Sequence, residues 1–462
     1  MDPMSVSEII EIAKPLYGFT LCDTSVKGVS IDSRTLKRGD LFVAVKGKRT
    51  DGHLYIQEAL EKGAVGIVAE SPHSIRDVNS TQGQDNFFIV KNSLTFLGDL
   101  ARAYLKKLGT RVICVTGTNG KTTVKEFLVR LLSEDYFTTG SKGNLNNLYG
   151  LPLSIFEASC WSEAAVFEIG MSELGEIARL CEIAQPQIGV LTNIGPAHLE
   201  NLGNLKNVVK AKAEMLEFLG SRQRTAVVNL DDNNIANIIK KFDCDYATVG
   251  MSESADFRIT DIEFDNMGNG IFKLNGYPVE LKIPGMHNIY NTSIAAATAV
   301  TFGMNFQDVI GLLPYLKTPE MRSSVEVING ITLIDDAYNA NPQSTQNAVR
   351  MLNSIDANKR YMVFGDMLEL GDQSVGFHKE VGKRIAEADI DRLITIGELA
   401  EYTGKAAGKY NRSMVVTHLK EHREIAGLLF EELSEGDAVL FKGSRGIELE
   451  KVIEYLKEEL KG

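Results

Sequence analysis

The segment VICVTGTNGKTTVKEFL, residues 112–128, joins an apolar, strand-like run to a helix-like pattern through a short polar loop. In that loop, Gly117 and Gly120 allow a sharp backbone turn that points several N–H groups at one anion. The N-terminus of the following helix favours the same anion, and Lys121 is placed to reach β- and γ-phosphates. The standard pattern has its first glycine where this chain has Val115, so the match is partial. The segment predicts a site for a nucleoside triphosphate.

The alternative interpretation of this loop is a plain strand-to-helix turn with a surface lysine. A strand pattern on one side and a helix pattern on the other disfavour that alternative. In addition, Thr122 supplies a hydroxyl of the kind that ligates Mg²⁺ beside bound phosphates.

Other side chains stand where a divalent cation would need ligands. Glu168 ends the apolar run AAVFEIG, and His198 follows the run VLTNIG. The carboxyl ends of neighbouring parallel strands meet at one edge of a sheet, and a carboxylate in an apolar run is costly to bury unless it is paired or metal-bound. Taken alone, His198 would be a surface histidine and Lys212 a solvated lysine. The position of His198 after a strand end, in the same domain as Glu168, favours a metal ligand.

The chain of 462 residues is too long for one hydrophobic core. From residue 111, apolar strands alternate with helices, as in a parallel sheet covered on both faces, whereas residues 256–285 alternate like antiparallel strands. We expect an α/β fold with three domains. They are a small α/β N-terminal domain (1–108), a central P-loop-type domain with a mostly parallel sheet (109–316) and a Rossmann-like C-terminal domain (317–462).

Composition narrows the function classes. A formal net charge of −12 argues against a broad nucleic-acid surface, although a local basic pocket for an anion is compatible with it. No apolar run approaches the ~18 residues of a membrane span, and the N-terminus lacks a signal-peptide pattern. We expect a cytoplasmic protein with reduced cysteines, because none of them forms a C-x-x-C pair. The five cysteines are Cys22, Cys114, Cys160, Cys181 and Cys244.

The motifs TGTNGKTT, FEIG, TNIGPAHLE and AKAEM, in this order, resemble the central ATPase domain of the Mur ligases. These enzymes add amino acids to the UDP-linked precursor of bacterial peptidoglycan, and folylpolyglutamate synthase belongs to the same superfamily. The resemblance covers essentially the whole chain. The stretch SIDSRTLKRGDLFVAVKGKRTDGH (30–53) resembles the uridine-binding N-terminal domain of the third and fourth ligases of the pathway.

The C-terminal motifs separate the branches of the family. The stretches DDAYNANP (335–342) and FGDMLELG (364–371) resemble the branch that adds D-alanyl-D-alanine to UDP-MurNAc-tripeptide. The D-[ND]-P-[RN] motif of the branch that adds lysine or diaminopimelate is absent from the sequence, as is the G-x-G-x-x-G fingerprint of the first two ligases.

The resemblance implies that ATP phosphorylates a substrate carboxylate, and that an amine then displaces phosphate from the acyl phosphate. Lys121, Glu168, His198 and Lys212 are the implied catalytic residues. Two Mg²⁺ ions are expected, one held by Thr122 and Glu168 and one by His198. Lys212 matches the lysine that family members carbamylate, which would turn a cation into an anionic oxygen ligand; an unmodified lysine that contacts phosphate is the alternative.

The resemblance also implies how ATP is held. Asn288 and Asn291, in HNIYN, would contact adenine, with helix capping by Asn288 as the plainer reading. Arg322 would reach the γ-phosphate and Asp336 the ribose. The residues implied in phosphate binding are Gly117, Thr118, Asn119, Gly120, Lys121, Thr122 and Thr123.

Candidate substrate residues occur in all three predicted domains, and the protein is expected to act as a monomer. Ser33 and Arg34, with Asp51, Gly52 and His53 as weaker candidates, would contact UDP-MurNAc-tripeptide. Asn146, with Asn144 and Asn147, would contact its diphosphate or sugar, or else form a turn. The candidates for D-Ala-D-Ala are Asn339, Asn341, Asp366 and Glu369. Lys442, Ser444 and Arg445 would hold the dipeptide carboxylate or orient the acyl phosphate, and these two roles stay open.

Two other functions compete with this interpretation. One is another ligase of the superfamily, which adds a single amino acid such as lysine, diaminopimelate or glutamate. The other is a P-loop switch protein, in which nucleotide occupancy controls a partner. A switch would hydrolyse nucleotide without an acceptor, and it would give Glu168, His198 and Lys212 little reason to occur together.

Overall fold

The computed structural model describes residues 1–14, 16–19, 24–47, 50–72 and 86–461; Cys22 lies outside these ranges. The chain forms two compact units. The first unit comprises Met1–Val115, Leu132–Met171 and Gly175–Gly189, and the second comprises Thr116–Leu131, Ser172–Leu174 and Val190–Gly462.

The N-terminal part carries a five-stranded sheet of order β2–β7–β6–β5–β4 and a two-stranded pair, β1–β3. Its elements are β1 Met4–Ser5, α1 Val6–Ala13, β2 Tyr17–Phe19, β3 Ser25–Val26, β4 Gly28–Ser30, β5 Asp40–Val43, α2 Ile56–Glu61, β6 Gly66–Ala69, β7 Asn86–Ile89 and α3 Ser93–Leu108. Strands β4 to β7 pair in parallel, and β2 pairs with β7 antiparallel. Phe42, Ile56 and Ile67 are among the buried residues of its core.

The middle of the chain builds a nine-stranded sheet of order β16–β15–β14–β13–β12–β11–β8–β10–β9. Its strands are β8 Arg111–Thr116, β9 Thr138–Gly140, β10 Ala164–Glu168, β11 Ile188–Leu191, β12 Thr225–Asn229, β13 Asp245–Gly250, β14 Phe257–Phe264, β15 Asn269–Leu274 and β16 Tyr277–Pro284. Its helices are α4 Lys121–Leu132, α5 Gly150–Ile155, α6 Glu176–Ala184, α7 Leu199–Leu202, α8 Leu205–Gly220, α9 Asn233–Ile238, α10 Met286–Phe302 and α11 Phe306–Leu312.

The pairing within this sheet follows the sequence pattern. β10 pairs in parallel with β8 and β9, and β12 pairs in parallel with β13. β14, β15 and β16 are antiparallel, which confirms the alternation expected for residues 256–285. In α4, Val124, Phe127, Leu128 and Leu131 are buried at helical spacing, so this amphipathic helix is anchored by its apolar face.

The C-terminal part is a six-stranded sheet of order β17–β18–β22–β19–β20–β21. It is parallel apart from the antiparallel edge strand β17. Its elements are β17 Ser324–Ile328, β18 Ile331–Asp336, α12 Pro342–Ser354, β19 Arg360–Gly365, α13 Ser374–Ala386, β20 Arg392–Ile396, α14 Ala400–Tyr410, β21 Val415–His418, α15 His422–Glu432, β22 Ala438–Lys442 and α16 Glu450–Lys461. Leu333, Val363 and Phe441 lie in its core.

Single-turn 3₁₀ helices cover Gly52–Tyr55, Ile239–Lys241, Leu313–Tyr315, Gly371–Gln373 and Arg445–Ile447. The described cysteines, Cys114, Cys160, Cys181 and Cys244, form no disulfide bond. Over the described ranges, no helix has the length and apolarity needed to cross a membrane.

Candidate nucleotide and ligation site

The phosphate loop, residues 117–121, connects β8 to α4 and has a left-handed backbone at both glycines. φ is 152° at Gly117 and 80° at Gly120. A Cβ atom on Gly117 would lie 1.9 Å from Thr192 Oγ1, and one on Gly120 would lie 2.3 Å from Asn291 Oδ1. Backbone conformation and space therefore both require glycine at these positions.

The N-terminus of α4 presents the polar side chains of the motif. Lys121 folds over the loop, and its Nζ donates to the carbonyl oxygens of Gly117 (3.0 Å) and Thr118 (3.2 Å). Thr122 and Thr123 follow in the first helical turn and are nearly buried. The first turn of a helix leaves backbone N–H groups without helical partners, and these groups favour an anion.

The segment after β11 braces the phosphate loop. The N–H groups of Thr118 and Asn119 donate to the carbonyl oxygen and to Oδ1 of Asn193, each at 2.9 Å. The carbonyl oxygen of Asn119 accepts from Thr192 Oγ1 (2.6 Å) and from Asn193 Nδ2 (3.1 Å). Thr118 Oγ1 donates to the Gly195 carbonyl oxygen (3.1 Å) and accepts the Gly195 N–H (2.9 Å). On this side, hydrogen bonds between uncharged groups hold the loop in shape.

Glu168 is a buried carboxylate of the first unit. It is the last residue of β10, pairs with Val115 in β8 and is 2 % exposed. Its Oε1 accepts from Asn146 Nδ2 at 2.8 Å, and its N–H donates to Ser141 Oγ at 3.0 Å. Asn146 therefore orients the predicted metal ligand. Asn147 Oδ1 accepts backbone N–H groups at the start of α5, as the turn interpretation expects.

His198 precedes α7 and contacts a residue of the C-terminal motif FGDMLELG. The backbone is in the left-handed conformation at both residues, with φ of 53° at His198 and 64° at Glu369. The Nδ1 atom of His198 lies 2.7 Å from Glu369 Oε2, and the hydrogen bond to His198 lowers the pKa of Glu369. The N–H of Glu200 donates to the Glu369 carbonyl oxygen at 3.2 Å. This contact joins two predicted site residues.

Lys212 lies in α8 and is 3 % exposed. Val208, Met215 and Leu219 are buried on the same helix. The sequence alone favoured a solvated lysine at this position, and the burial argues against that reading. Burial disfavours the ammonium form of a lysine.

The segment HNIYN forms the first turns of α10. Asn288 Nδ2 donates to the Pro284 carbonyl oxygen at 2.8 Å, and Asn291 Nδ2 donates to Asn288 Oδ1 at 3.2 Å. Tyr290 Oη donates to Asp231 Oδ2 at 2.6 Å, and burial raises the pKa of Tyr290. Both predicted adenine contacts are buried and hydrogen-bonded to each other.

Arg322 stands between two non-glycine residues with left-handed backbones. φ is 59° at Met321 and 56° at Ser323, a conformation that costs about 1–3 kcal/mol per residue. The Arg322 guanidinium carbon lies 4.0 Å from the ring centre of Tyr338, a cation–π contact. The arginine predicted to reach the γ-phosphate thus packs against the Tyr338 ring.

Asp336 is the centre of a buried network in the second unit. Its Oδ1 accepts the N–H of Ser323 (3.1 Å) and the Ser323 hydroxyl (3.3 Å), and that hydroxyl accepts from His287 Nε2 at 3.1 Å. Lys442 Nζ lies 2.9 Å from Asp336 Oδ2 and also donates to the carbonyl oxygens of Asp336 and Asn339. Lys442 is 2 % exposed, so its ammonium is already paired within the protein.

The asparagines of DDAYNANP differ in their environments. Asn339 is exposed, and its Oδ1 accepts the N–H of Ala340 at 2.9 Å. Asn341 is the N-cap of α12, where its Oδ1 accepts the N–H of Ser344 at 2.9 Å. Asn341 Nδ2 donates to Asn119 Oδ1 at 2.7 Å. Asn341 therefore contacts the phosphate loop.

The remaining predicted dipeptide residues lie at the ends of β19 and β22. Asp366 Oδ1 accepts the N–H groups of Leu399 (3.0 Å) and Ala400 (2.7 Å), and burial raises the pKa of Asp366. Ser444 is buried, and its Oγ accepts the N–H of Leu368 at 3.0 Å. Arg445 is exposed and pairs with Glu450 at 2.9 Å.

In the N-terminal part, Ser33 is buried and donates to Glu58 Oε2 at 3.0 Å, whereas Arg34 is exposed and pairs with Asp32 at 2.7 Å. His53 Nε2 accepts the N–H of Glu70 at 3.1 Å, so Nδ1 carries the proton that is donated to Asp51 Oδ1 at 2.6 Å. Asp51 and His53 thus order their own turn.

Several residues of this site were not singled out from the sequence. Thr192 and Asn193 brace the loop, Ser323 and His287 support Asp336, and Gln343 reaches Asn119 with its Oε1 3.4 Å from Asn119 Nδ2. Four of them lie within quoted motifs or beside a predicted residue, and Gln343 follows DDAYNANP directly. Their position in or beside the motifs could have identified these residues. Their supporting role could not be predicted, because it depends on contacts made in the folded chain. Over the described residues, no three His, Cys, Asp or Glu side chains form a metal-binding group.

Asp335 provides a test of the electrostatics beside this site. Burial raises its pKa from 3.8 to about 6, against the opposing effect of the Ala337 N–H that donates to Oδ1. The native protein binds this proton more tightly than the unfolded chain, so stability increases as pH falls from about 7 towards 4. We expect Asp335→Asn to increase the free energy of unfolding at pH 8 by up to ~3 kcal/mol, and by about half as much at pH 5.

Urea unfolding of both proteins at the two pH values measures this effect. Asp356→Asn, at an exposed position of the same C-terminal part, is the control and should show no such pH-dependent difference. An equal stability change at pH 5 and pH 8 for Asp335→Asn would contradict the burial argument.

Comparison with known proteins places these features in a family. Three family models match: "Mur ligase family, catalytic domain" over residues 25–105, "Mur ligase middle domain" over 115–299 and "Mur ligase, glutamate ligase domain" over 321–445. The chain is 35 % identical over 460 residues to the UDP-N-acetylmuramoyl-tripeptide–D-alanyl-D-alanine ligase of Bacillus subtilis, covering 98 % of each protein.

Solved structures are similar over the same length. A MurF structure from Acinetobacter baumannii has a TM-score of 0.89 and 28 % identity, with 99 % of each chain covered. MurF ligase from Thermotoga maritima, in complex with ADP, has a TM-score of 0.84 and 32 % identity, covering 94 % of this chain and 98 % of that one. These matches confirm the expected α/β fold with three domains. The chain belongs to the Mur ligase family.

Proposed function

We propose that this chain is an ATP-dependent amide ligase that joins D-alanyl-D-alanine to UDP-MurNAc-tripeptide, with formation of UDP-MurNAc-pentapeptide, ADP and phosphate. The observation that carries the proposal is that both C-terminal motifs touch the phosphate-loop region. Asn341 of DDAYNANP bonds to Asn119, and Glu369 of FGDMLELG pairs with His198. The residues proposed to bind the nucleotide and those proposed to bind the dipeptide are therefore in contact. The name of the B. subtilis relative states the same activity.

The reaction needs activation because a carboxylate has oxide as its leaving group. An oxygen of the tripeptide carboxylate attacks the γ-phosphorus of ATP, and ADP leaves. The unprotonated amine of the dipeptide then attacks the acyl carbon and forms a tetrahedral intermediate. Collapse of this intermediate forms the amide and expels phosphate, which carries one oxygen of the original carboxylate. The contribution of the protein is mainly positioning and charge neutralisation.

The phosphate loop and the first turn of α4 hold the triphosphate in this proposal. Once phosphate is bound, the Lys121 ammonium exchanges the loop carbonyl oxygens for phosphate oxygens. The backbone N–H groups at the start of α4 add further donors. Asn288 and Asn291 contact adenine, Asp336 contacts ribose and Arg322 reaches the γ-phosphate.

The donor set fits Mg²⁺, which prefers oxygen ligands. The buried Glu168 carboxylate and the Thr122 hydroxyl would hold one ion, and His198 would contribute to a second. Because Nδ1 of His198 lies 2.7 Å from Glu369 Oε2, Nε2 is the ring nitrogen that would bind the ion. Bound there, Mg²⁺ offsets negative charge as phosphate and carboxylate approach. Lys212, buried in α8, is the residue for which carbamylation is proposed.

The substrate contacts are assigned by segment. Ser33 and Arg34 bind the uridine part of UDP-MurNAc-tripeptide, with Asn146 as a further contact. The dipeptide lies against the ends of β18, β19 and β22. Its contacts are Asn339, Asn341, Asp366, Glu369, Ser444 and Arg445, with the buried Lys442 acting through Asp336 and Asn339.

The remaining assignments also belong to this proposal. The proposed domains are 1–108, 109–316 and 317–462, and each of the three matched family models lies within one of them. The protein is a cytoplasmic monomer, and cysteines without disulfide bonds, as in the described part of the chain, are typical of a reducing compartment. Sedimentation at micromolar concentration tests the monomer.

The test is phosphate release with ATP and Mg²⁺, with UDP-MurNAc-tripeptide and D-Ala-D-Ala supplied separately and then together. Release that requires both substrates, with the pentapeptide mass as product, is the expected result. Release with neither substrate would indicate a nucleotide switch. Release with a single amino acid as acceptor would indicate another ligase of the superfamily.

A further inference from the structure

Two asparagine side chains form an amide pair between the phosphate loop and the start of α12. Asn341 Nδ2 donates to Asn119 Oδ1 at 2.7 Å, and Asn119 Nδ2 lies 3.5 Å from Asn341 Oδ1. The same Asn119 amide donates to Gln343 Oε1 at 3.4 Å. These residues are 222 and 224 positions apart in the sequence, so the contact is made by the tertiary fold.

Asn119 is held rigidly on its loop side. Its N–H donates to Asn193 Oδ1, and its carbonyl oxygen accepts from Thr192 and Asn193. A shift of the loop backbone on phosphate binding therefore moves the Asn119 side chain as well. Gly120 is tightly enclosed, because a Cβ there would meet Asn291, and this leaves the loop little room to move without its neighbours.

Asn341 is fixed by helix capping, and Gln343 lies close to the segment after β11. Asn341 and Ser344 form a reciprocal capping box at the N-terminus of α12. Gln343 approaches Gly195 so closely that a Cβ on Gly195 would lie 2.2 Å from its Oε1. Asn119 therefore contacts two side chains from the first turn of α12, one of which also caps the helix.

Resting on the proposed function, we propose that Asn341 and Gln343 are positioning residues that dock the N-terminus of α12 on the phosphate loop and couple nucleotide binding to alignment of the acceptor site. The segment before α12 carries Asn339 and continues from Asp336, so a displacement of the helix end displaces the predicted ribose and dipeptide contacts. The contact pairs amide N–H donors with amide oxygen acceptors. Because these groups carry no net charge, a bound triphosphate neither repels them nor replaces them as an ion-pair partner.

Asn341→Ser separates this role from helix capping. Serine is also a preferred N-cap and retains the acceptor for Ser344 N–H, but it is too short to reach Asn119. Gln343→Met is a second variant of similar length without polar atoms. The matched control is Asn305→Ser, which makes the same change at the N-cap of α11, where Asn305 Oδ1 accepts from Gln307 and Asp308.

The measurement is amide hydrogen exchange of the full chain, with and without Mg²⁺–ADP, combined with steady-state kinetics. In the parent protein, nucleotide should protect both the phosphate loop and the first turns of α12. In Asn341→Ser and Gln343→Met, we expect protection of the loop to persist, whereas protection of α12 falls about fivefold. The KM for ATP should rise and kcat should fall, and Asn305→Ser should behave like the parent.

The outcomes are distinguishable. Parent-like nucleotide protection of α12 in both variants, with only the KM for D-Ala-D-Ala raised in Asn341→Ser, would overturn the coupling and leave Asn341 with its proposed dipeptide contact alone. If Asn341→Ser melts below the control, Gln343→Met alone decides the question by the same criteria. Failure of nucleotide to protect the loop in the parent protein would refute the proposed ATP site itself.

Discussion

Replacement of Lys121 by methionine should lower kcat for ligation by about 10³-fold, with the fold intact. In the structure, its ammonium caps the carbonyl oxygens of Gly117 and Thr118. We propose that the same group neutralises the γ-phosphoryl group as it moves to the substrate carboxylate. Methionine keeps the length and the apolar part of the side chain but removes the charge.

Rapid-quench measurement of ADP formation in a single turnover checks this expectation, because it reports the phosphoryl-transfer step directly. Lys405→Met is the control, since Lys405 is an exposed lysine of α14 that pairs with Glu401 at 2.8 Å. A Lys121→Met protein with a parent-like rate of ADP formation and a lower rate only in the later amide step would contradict the assignment.

The second large effect is expected at Glu168. Glu168→Gln keeps the shape of the side chain and an Oε1 acceptor for Asn146, but it removes the negative charge. If Glu168 holds Mg²⁺, the loss should lower kcat/KM by about 10²-fold or more, because metal stabilisation of developing charge is worth several kcal/mol. The Mg²⁺ concentration for half-maximal activity should rise in parallel.

A Mg²⁺ titration of the ligation rate measures both quantities. Glu157→Gln, at an exposed position that pairs with Lys142 at 2.9 Å, should leave the titration unchanged. A Glu168→Gln enzyme that is slower at every Mg²⁺ concentration but has an unchanged midpoint would show that Glu168 does not bind the ion.

Most strands and the phosphate loop were predictable because their signals are local. β18, Ile331–Asp336, is an example, since its apolar run ITLI between turn residues and aspartates is sufficient to define a buried parallel strand. β17 and β13 were not predicted. Both are only partly buried, and their pairing partners, not their own apolar patterns, define them as strands.

The site residues could be predicted where the residue type and its position in a motif are sufficient to indicate a function. The loop glycines and the carboxylate at Glu168 follow from such signals, whereas the pairing of His198 with Glu369 was not predicted. The sequence did not reveal that Lys442 would be enclosed by Asp336 and Asn339, or that Asn341 would face Asn119. Lysine and asparagine are equally suited to ligands and to internal hydrogen bonds, so only the tertiary contacts distinguish the two uses.

In the proposed reaction, ATP activates a substrate carboxylate for capture by the dipeptide amine. UDP-MurNAc-tripeptide labelled with ¹⁸O in both oxygens of its terminal carboxylate distinguishes this route from hydrolysis. With ATP, Mg²⁺ and D-Ala-D-Ala present, we expect one ¹⁸O atom in each phosphate released and one retained in the new amide carbonyl. Phosphate free of ¹⁸O would mean that water, not the carboxylate, attacks ATP, and would refute carboxylate activation.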